Sequence, residues 1–207
     1  MKISGRKSAV FLVIIFIFAS LIFVSANRDK YMLWSFGQRT EEALEENDKV
    51  IATVNGENIT NKQLQALKIF NDYQDEKMTD EELLNTLVEK ELFYQDALAN
   101  NVNISDKELN DIIEFNKKAV RENAEAYNNL KEYMESMGMD EHTYWKTAEP
   151  LYKKNLIMGR HKNNLKDMYK QRNAITDSKE FNQGFEDFYK GYIEELKQKA
   201  DITYNEN

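Results

Sequence analysis

The residues that could carry acid, base or metal chemistry are scattered along this chain. Its 207 residues include 36 acidic side chains, no cysteine and only two histidines, His142 and His161. The histidine spacing matches no zinc-binding motif such as HExxH. The carboxylates have no glycine-rich loop or recognisable nucleophile beside them. The sequence therefore predicts no catalytic residue and no metal site, and it excludes disulfides and a cysteine nucleophile.

Aromatic and methionine side chains concentrate around the break at Met137-Gly138-Met139. We name this set the tip cluster; its members are Tyr133, Met134, Met137, Met139, Tyr144 and Trp145. Methionine and aromatic groups repack at small cost and can bind many sequences weakly, so the cluster is a candidate peptide-binding site. Exposure would make it a binding surface. Packing of these residues on one another would instead make it the cap of a helical hairpin, and the sequence leaves both interpretations open.

Two long helical segments are predicted to position the tip cluster. In the first segment an apolar residue recurs every seventh position at Ile113, Val120, Tyr127 and Met134. Such a thin stripe is typical of a helix that packs on a single partner. A continuous helix over residues 105–136 would extend about 48 Å. Asp140 can cap the returning helix, in which Pro150 is expected to produce a kink or a break.

The segments that flank this hairpin carry strand signals. Val50–Val54 is rich in β-branched residues and runs into an Asn-Gly turn, and Ile202–Tyr204 alternates as a short strand does. A lone strand needs a partner, so the two segments are expected to pair. The aromatic helix over residues 178–200 would then pack on the opening hairpin and the first helix. The sequence predicts one discontinuous, mainly α domain over residues 50–207 with a two- to three-stranded sheet.

Three helix starts are indicated by capping boxes, in which a Ser or Thr precedes a Glu or Gln by three residues. The pairs are Thr60 with Gln63, Thr79 with Glu82, and Ser105 with Glu108. Only seven glycines and one proline occur in the chain. This scarcity of turn residues favours long helices over a many-stranded fold.

An uncharged apolar run over residues 8–26 follows the basic residues Lys2, Arg6 and Lys7. As a helix it would extend roughly 28 Å, which is close to the thickness of a bilayer core. The positive start favours a cytoplasmic N-terminus. We therefore predict a cytoplasmic tail (1–7), a single-pass membrane helix (8–26), a stalk (27–49) and an extracytoplasmic folded domain. Val24-Ser25-Ala26 also fits signal cleavage near Ala26, and secretion is the alternative.

The net charge of the predicted extracytoplasmic part limits the classes of molecule that it can bind. Without the three basic residues of the tail, 25 basic residues face 36 acidic ones, a net charge of −11. Nucleic acid is a poor partner for such a surface because its phosphates would be repelled. Polypeptides and the membrane remain as predicted partners.

The opening and closing segments resemble a known family. Residues 50–60, followed by Leu87-Val88-Glu89-Lys90-Glu91-Leu92, are similar to the N-terminal segment of the SurA/PrsA peptidyl-prolyl isomerases. Residues 192–205 are similar to the helix and strand that complete the chaperone domain of that family. The family inserts a parvulin isomerase domain between these two parts, whereas only residues 172–177 separate the helices here, a length normal for a plain loop.

The resemblance implies a fold and a function. The fold would be a helical chaperone domain of the SurA N-terminal and trigger-factor type, without the parvulin domain. The function would be the binding of unfolded or partly folded exported polypeptides, with no cofactor and no prolyl isomerase activity. The alternative is an adaptor or structural module that binds one membrane or envelope partner through its helical arm.

Overall fold

The computed structural model describes residues 30–45, 48–74, 77–173 and 178–205. Within them seven helices and three strands follow in the order α1 (Lys30–Glu45), β1 (Val50–Val54), β2 (Glu57–Thr60), α2 (Asn61–Tyr73), α3 (Asp80–Ala99), α4 (Asp106–Glu122), α5 (Ala124–Ser136), α6 (Glu141–Asn173), α7 (Ser178–Lys199) and β3 (Ile202–Tyr204). The prediction of a mainly helical fold with a small sheet is confirmed. The predicted tail and membrane helix over residues 1–26 lie outside the described residues. None of the described helices is both long and apolar enough to cross a bilayer.

The sheet joins the two ends of the domain. Its strand order is β2-β1-β3, and both pairings are antiparallel. Asn55 and Gly56 connect β1 to β2 with positive φ angles of 51° and 87°, as a tight hairpin turn requires. Ile202 of β3 lies opposite Val54 of β1. Asn55 and Asp201 exchange two further hydrogen bonds of 2.8 and 2.9 Å. The predicted pairing of the closing strand with Val50–Val54 is confirmed.

The capping pairs begin three helices where the sequence predicts them. Thr79 and Glu82 form both reciprocal hydrogen bonds, and the Ser105 hydroxyl accepts from the Glu108 N–H. The Thr60 N–H donates to Gln63 Oε1 at 2.8 Å. Each contact satisfies a backbone or side-chain group that the helix end leaves unpaired.

The structure corrects the prediction for the outgoing arm of the hairpin and narrows it for the returning helix. The outgoing arm is not one helix, because it breaks at Asn123, where the backbone is extended. The Asn123 side chain caps α5: its Oδ1 accepts from the Ala126 N–H at 3.1 Å. The returning helix α6 continues through Pro150 for 33 residues. Buried neighbours on both sides, Ala148 and Leu151, hold this part of α6 in the core. Of the two predicted outcomes the break is thus wrong, because packing keeps α6 continuous through Pro150, and the kink stays a prediction.

The segment predicted as a stalk contains a packed helix. Its described part, α1, lies against α2 and α5 and buries Phe36, Thr40 and Ala43. Gly37 permits this approach, because a Cβ there would lie 1.6 Å from the Ser136 Oγ. The folded domain therefore begins earlier than the predicted boundary at residue 50.

Three groups of buried side chains stabilise the domain. The base core joins the sheet to α2 and α3 and includes Ile51, Val54, Ile59, Leu64, Leu83, Leu87, Val88 and Leu92. The distal core joins α1, α2, α4, α5 and α6 and includes Phe36, Ile69, Ile113, Leu130, Tyr133, Tyr144, Trp145 and Tyr152. The lateral core joins α3, α6 and α7; it consists of Phe93, Leu165, Phe185 and Ile193 with half-buried Met158, Met168, Tyr169, Phe181, Phe188, Tyr189, Tyr192 and Leu196.

The closing helix α7 takes a different neighbour from the one the sequence predicts. Leu196 and Ala200 reach the base core, as expected. The main contacts of α7 are nevertheless with α3 and α6, and not with the first helix after the hairpin. The three helices α3, α6 and α7 therefore form a separate wall of the molecule, and this wall contains the open groove described below.

Candidate functional site

The structure places the tip cluster inside the distal core. Tyr133 and Tyr144 are 0% exposed and Trp145 is 5% exposed; Met134 and Met137 are also buried, and Met139 is half-buried. The Tyr144 and Trp145 rings meet edge to face at 5.0 Å, and Tyr133 lies 6.5 Å from Tyr144. Of the two interpretations that the sequence leaves open, these six residues adopt the packed one. A role in binding peptide stays a prediction and would require the surrounding helices to separate.

The burial of the tip cluster follows from the course of α1 and α5. The expectation of a remote tip depended on one 48 Å helix, but the break at Asn123 starts a new helix, α5, that packs on α1. Phe36 of α1 lies 5.7 Å from the Tyr133 ring. Because α1 also contacts α2, it connects the cluster to the rest of the domain.

An apolar groove of about 460 Å³ lies open between α3, α6 and α7. It is lined by Thr86, Glu89, Lys90, Phe93, Asn155, Met158, Gly159, Lys162, Tyr189 and Ile193. Phe93 and Ile193 belong to the lateral core and form its floor, and the half-buried Met158 and Tyr189 border them. A Cβ built on Gly159 would meet no atom within 4 Å. The groove thus has room for the side chains of a bound peptide beside an apolar floor.

The acidic residue that lines the groove has partners of opposite charge or polarity, whereas the two lysines have no carboxylate partner among the described residues. Glu89 accepts from Lys197 at 2.7 Å and from Asn85 at 2.8 Å. Lys90 and Lys162 have no carboxylate partner in the part of the chain that the structure describes. The Lys162 ammonium lies 4.2 Å from the centre of the Tyr189 ring. Desolvation, with repulsion from Lys154, lowers the pKa of Lys90.

A buried polar contact holds the three walls of the groove together. Asp96 Oδ2 lies 2.6 Å from His161 Nε2 and accepts from the Tyr192 hydroxyl at 2.5 Å. Burial and the hydrogen bond to Asp96 raise the pKa of Tyr192 above its ordinary value. His161 also packs on the Phe93 ring at 4.9 Å. This contact joins α3, α6 and α7, and none of its three residues lines the groove, so its role there is to position the helices that do.

Sequence reasoning overlooked both the groove and the buried polar contact. A signal for the contact was present: His161 lies four residues after Ile157 and four before Leu165, on the buried stripe of α6. A polar residue on such a stripe usually has a buried hydrogen-bonding partner. No comparable signal marks the groove, because it results from the spacing of three helices that are distant in sequence.

A second pocket, of about 540 Å³, lies between α4 and α6. Charged groups of both signs line it, and Arg121 pairs there with Glu141 at 2.8 Å. Within the described residues, no group of three or more His, Asp or Glu side chains is arranged to hold a metal ion. The apolar groove is therefore the stronger candidate for a binding site.

Comparison with known proteins agrees with this architecture. The model of the family described as SurA-like N-terminal domain matches residues 1–131. The foldase protein PrsA of Caldanaerobacter subterraneus subsp. tengcongensis is 30% identical over an alignment of 146 residues, and the match covers 59% of this chain and 43% of that protein. The match thus spans less than half of that relative. Because the family model covers more than half of the 207 residues, this chain belongs to the SurA-like N-terminal domain family.

Proposed function

We propose that this chain is a membrane-anchored, extracytoplasmic chaperone-like protein that binds unfolded or partly folded exported polypeptides. Membership in the SurA-like N-terminal domain family and the similarity to a foldase support a role in protein folding. The observation that carries the proposal is the open groove between α3, α6 and α7. Its floor, formed by Phe93 and Ile193, has space above it for the side chain of a client.

The composition of the groove suits a binder of many sequences. Its volume of about 460 Å³ lies within the range of sites that accept small ligands or a few side chains. Met158 is flexible and polarisable, and Tyr189 combines an apolar ring with a polar tip. Such groups adapt to differently shaped apolar side chains. Binding at this site is therefore expected to be weak for each client and broad across clients.

The anchor and the lack of isomerase activity are parts of the same proposal. The apolar run over residues 8–26 after a basic start supports a single membrane helix with the domain outside. Only four residues separate the end of α6 at Asn173 from the start of α7 at Ser178. A separately folded isomerase domain does not fit in that connection. The proposed mode of action is thus client binding without catalysis of proline isomerisation.

Aggregation of a chemically unfolded test protein measures the proposed activity. The full chain in lipid nanodiscs should suppress that aggregation, and Gly159→Trp should weaken the suppression because the indole would occupy the groove. Gly191→Trp is a matched control, since Gly191 is a glycine of α7 whose Cβ would also meet no atom within 4 Å but which does not line the groove. Equal suppression by all three proteins would contradict the groove as the client site.

Two further measurements test the membrane topology and the expected lack of prolyl isomerase activity. Protease added to wall-free intact cells should digest the folded domain, whereas protection would reverse the topology, and a mature N-terminus at Asn27 would show cleavage. In a proline-limited peptide assay the chain should remain at background. Catalysis that survives rigorous purification would contradict this part of the proposal.

The adaptor function remains a second candidate because of one exposed side chain. Phe115 on α4 is 70% exposed, which would suit contact with a specific partner. Crosslinking in intact cells separates the two functions. Recovery of many exported precursors supports the chaperone, whereas recovery of one stoichiometric partner that depends on Phe115 supports the adaptor.

A further inference from the structure

The groove between α3, α6 and α7 combines an apolar floor with uncompensated positive charge. Its cations come from opposite sides: Lys90 lies on α3 and Lys162 on α6. The one carboxylate of the lining, Glu89, is already bound by Lys197. By contrast, Lys154, which is next to the lining residue Asn155 in sequence, is paired with Glu91 at 2.6 Å. An apolar occupant alone would leave the charges of Lys90 and Lys162 without partners.

This local charge is opposite to that of the whole chain, which has a net charge of −8. A strongly acidic protein repels acidic polypeptides at long range, but salt screens that repulsion beyond about 10 Å at ordinary ionic strength. Within the groove the nearest uncompensated charges are the two ammonium groups. Charge complementarity at contact distance therefore favours a carboxylate on the occupant.

The environment of Lys90 gives this preference a physical basis. The Lys90 ammonium forms no ion pair within the described residues, and desolvation, followed by repulsion from Lys154, lowers its pKa. Lys162 is held over the Tyr189 ring at 4.2 Å, which orients its ammonium beside the apolar border of the groove. A carboxylate that entered with an apolar neighbour would meet both cations while the neighbour covered Phe93 and Ile193.

We infer that the groove selects polypeptide segments in which an acidic residue directly flanks a large apolar residue. The inference rests on the proposed function and specifies the class of client segment for the same groove. The apolar side chain occupies the floor beside Met158 and Gly159, and the carboxylate contacts Lys90 and Lys162. The site thus distinguishes acidic-apolar segments from purely apolar ones.

Fluorescence anisotropy with two labelled peptides tests this selection on the full chain in nanodiscs. The first peptide contains the run leucine, aspartate, phenylalanine, glutamate, leucine; the second replaces the two acids by asparagine and glutamine. The acidic peptide should bind about five- to tenfold more tightly at low ionic strength, and added salt should reduce the difference. Equal affinities would overturn the inference.

Charge variants assign the preference to the two groove cations. The double substitution Lys90→Gln with Lys162→Gln should remove the preference, so that the acidic and the neutral peptide bind this variant with equal affinity. Lys118→Gln with Lys131→Gln, on the exposed faces of α4 and α5, changes the net charge equally and should preserve it. If both pairs reduce the preference equally, the effect arises from overall charge and the inference is wrong.

A groove-filling variant separates this inference from the proposed function. Gly159→Trp should weaken the binding of both peptides, and Asn155→Trp serves as a second variant at another lining position if the first unfolds. Loss of both peptides without any acidic preference in the unmodified chain would overturn the selection but keep the groove as the client site. Unchanged binding of both peptides to a folded variant would place the site elsewhere and overturn both proposals.

Discussion

The distal core and the lateral core both contain aromatic and methionine side chains, but it is the lateral core that borders the open apolar groove. In the distal core Tyr133, Tyr144 and Trp145 are covered, because α1 lies across α5 and approaches Ser136 at Gly37. In the lateral core Phe93 and Ile193 are buried to a similar degree, but the half-buried Met158 and Tyr189 beside them border a groove that no described element covers. Aromatic and methionine residues therefore mark surfaces able to bind apolar groups. Whether such a surface becomes core or site depends on whether a further helix covers it.

The two cores also differ in how their buried polar groups are hydrogen-bonded. The lateral core is held by the contact of Asp96 with His161 and Tyr192, which fixes three helices around the groove. The distal core buries tyrosine hydroxyls among aromatic rings, as at Tyr144. A site that must stay open needs walls that do not collapse, and hydrogen bonds that link all three helices oppose such a collapse, even though His161 Nδ1 has no partner within the described residues.

The largest expected effect comes from removing residues 178–207. This deletion removes α7 and β3, and with them the buried Phe185 and Ile193 and the pairing of β3 with β1. At roughly 1.5 to 3 kcal/mol each, these two side chains account for about 3 to 6 kcal/mol, and the half-buried aromatic residues of α7 that are lost with them should bring the total to the stability of a typical domain. Circular dichroism and thermal melting should show no cooperative transition. Removal of residues 206–207 alone is the control, and an unchanged melting temperature after the long deletion would contradict the discontinuous domain.

Trp145→Ala should have the next largest effect and tests the distal core directly. Truncation of a buried tryptophan usually costs about 3 to 5 kcal/mol because the cavity collapses only in part. Urea unfolding should show this loss, whereas the peptide affinity of the folded protein should remain the same. Met139→Ala, at the half-buried edge of the same cluster, should cost much less. Lost peptide binding with little change in stability would instead identify the tip cluster as the client surface.

The same substitution, glycine to alanine, compares the close contact of α1 with α5 at Gly37 with the open groove at Gly159. Gly37→Ala would place a Cβ 2.7 Å from the Ser136 Cβ and should destabilise the domain by about 1 to 3 kcal/mol, because α1 and α5 must separate. Gly159→Ala meets no atom within 4 Å and should stabilise α6 by up to about 1 kcal/mol through helix propensity. Urea unfolding of both variants measures the difference. Equal effects would show that α1 does not pack closely on α5.

The sequence sufficed for those features that arise from local signals. The Asn55-Gly56 turn, the capping pairs and the alternation of Ile202–Tyr204 determine the hairpin, three helix starts and the closing strand. The cover of the tip cluster was not predictable in this way. It depends on a close approach of α1 to α5 across about a hundred residues of sequence, made possible by Gly37.

The groove was equally inaccessible to sequence reasoning. Phe93, Met158 and Tyr189 each fit the apolar stripe of an ordinary amphipathic helix. Only their assembly in three dimensions leaves a space between them. The break at Asn123 does have a local signal, because asparagine is a favoured helix cap, but the seven-residue apolar repeat continues on both sides of it.

Tyr144→Phe is expected to change the free energy of unfolding least at neutral pH. At high pH the same substitution should have a separate effect on stability. The Tyr144 hydroxyl is buried and has no hydrogen-bond partner within the described residues. Burial, with the neighbouring Tyr152 and Tyr133, raises the pKa of Tyr144 well above its ordinary value near 10. At pH 7 the variant should therefore match or exceed the parent in stability, by up to about 1 kcal/mol, because it removes an unsatisfied polar group.

The sign of the alkaline effect follows from that raised pKa. The folded chain keeps Tyr144 neutral, whereas the unfolded chain ionises it near pH 10. The stability associated with the neutral form is thus complete below pH 10 and is lost as the pH rises above it, by as much as about 1.4 kcal/mol per pH unit for one group. Urea unfolding between pH 7 and 11.5 should show a shallower alkaline loss for Tyr144→Phe than for the parent. Tyr204→Phe, at an exposed position on β3, controls for the loss of a tyrosine hydroxyl. If Tyr144→Phe and the parent lose stability in parallel, the hydroxyl reaches water, and the distal core is open as the lateral groove is.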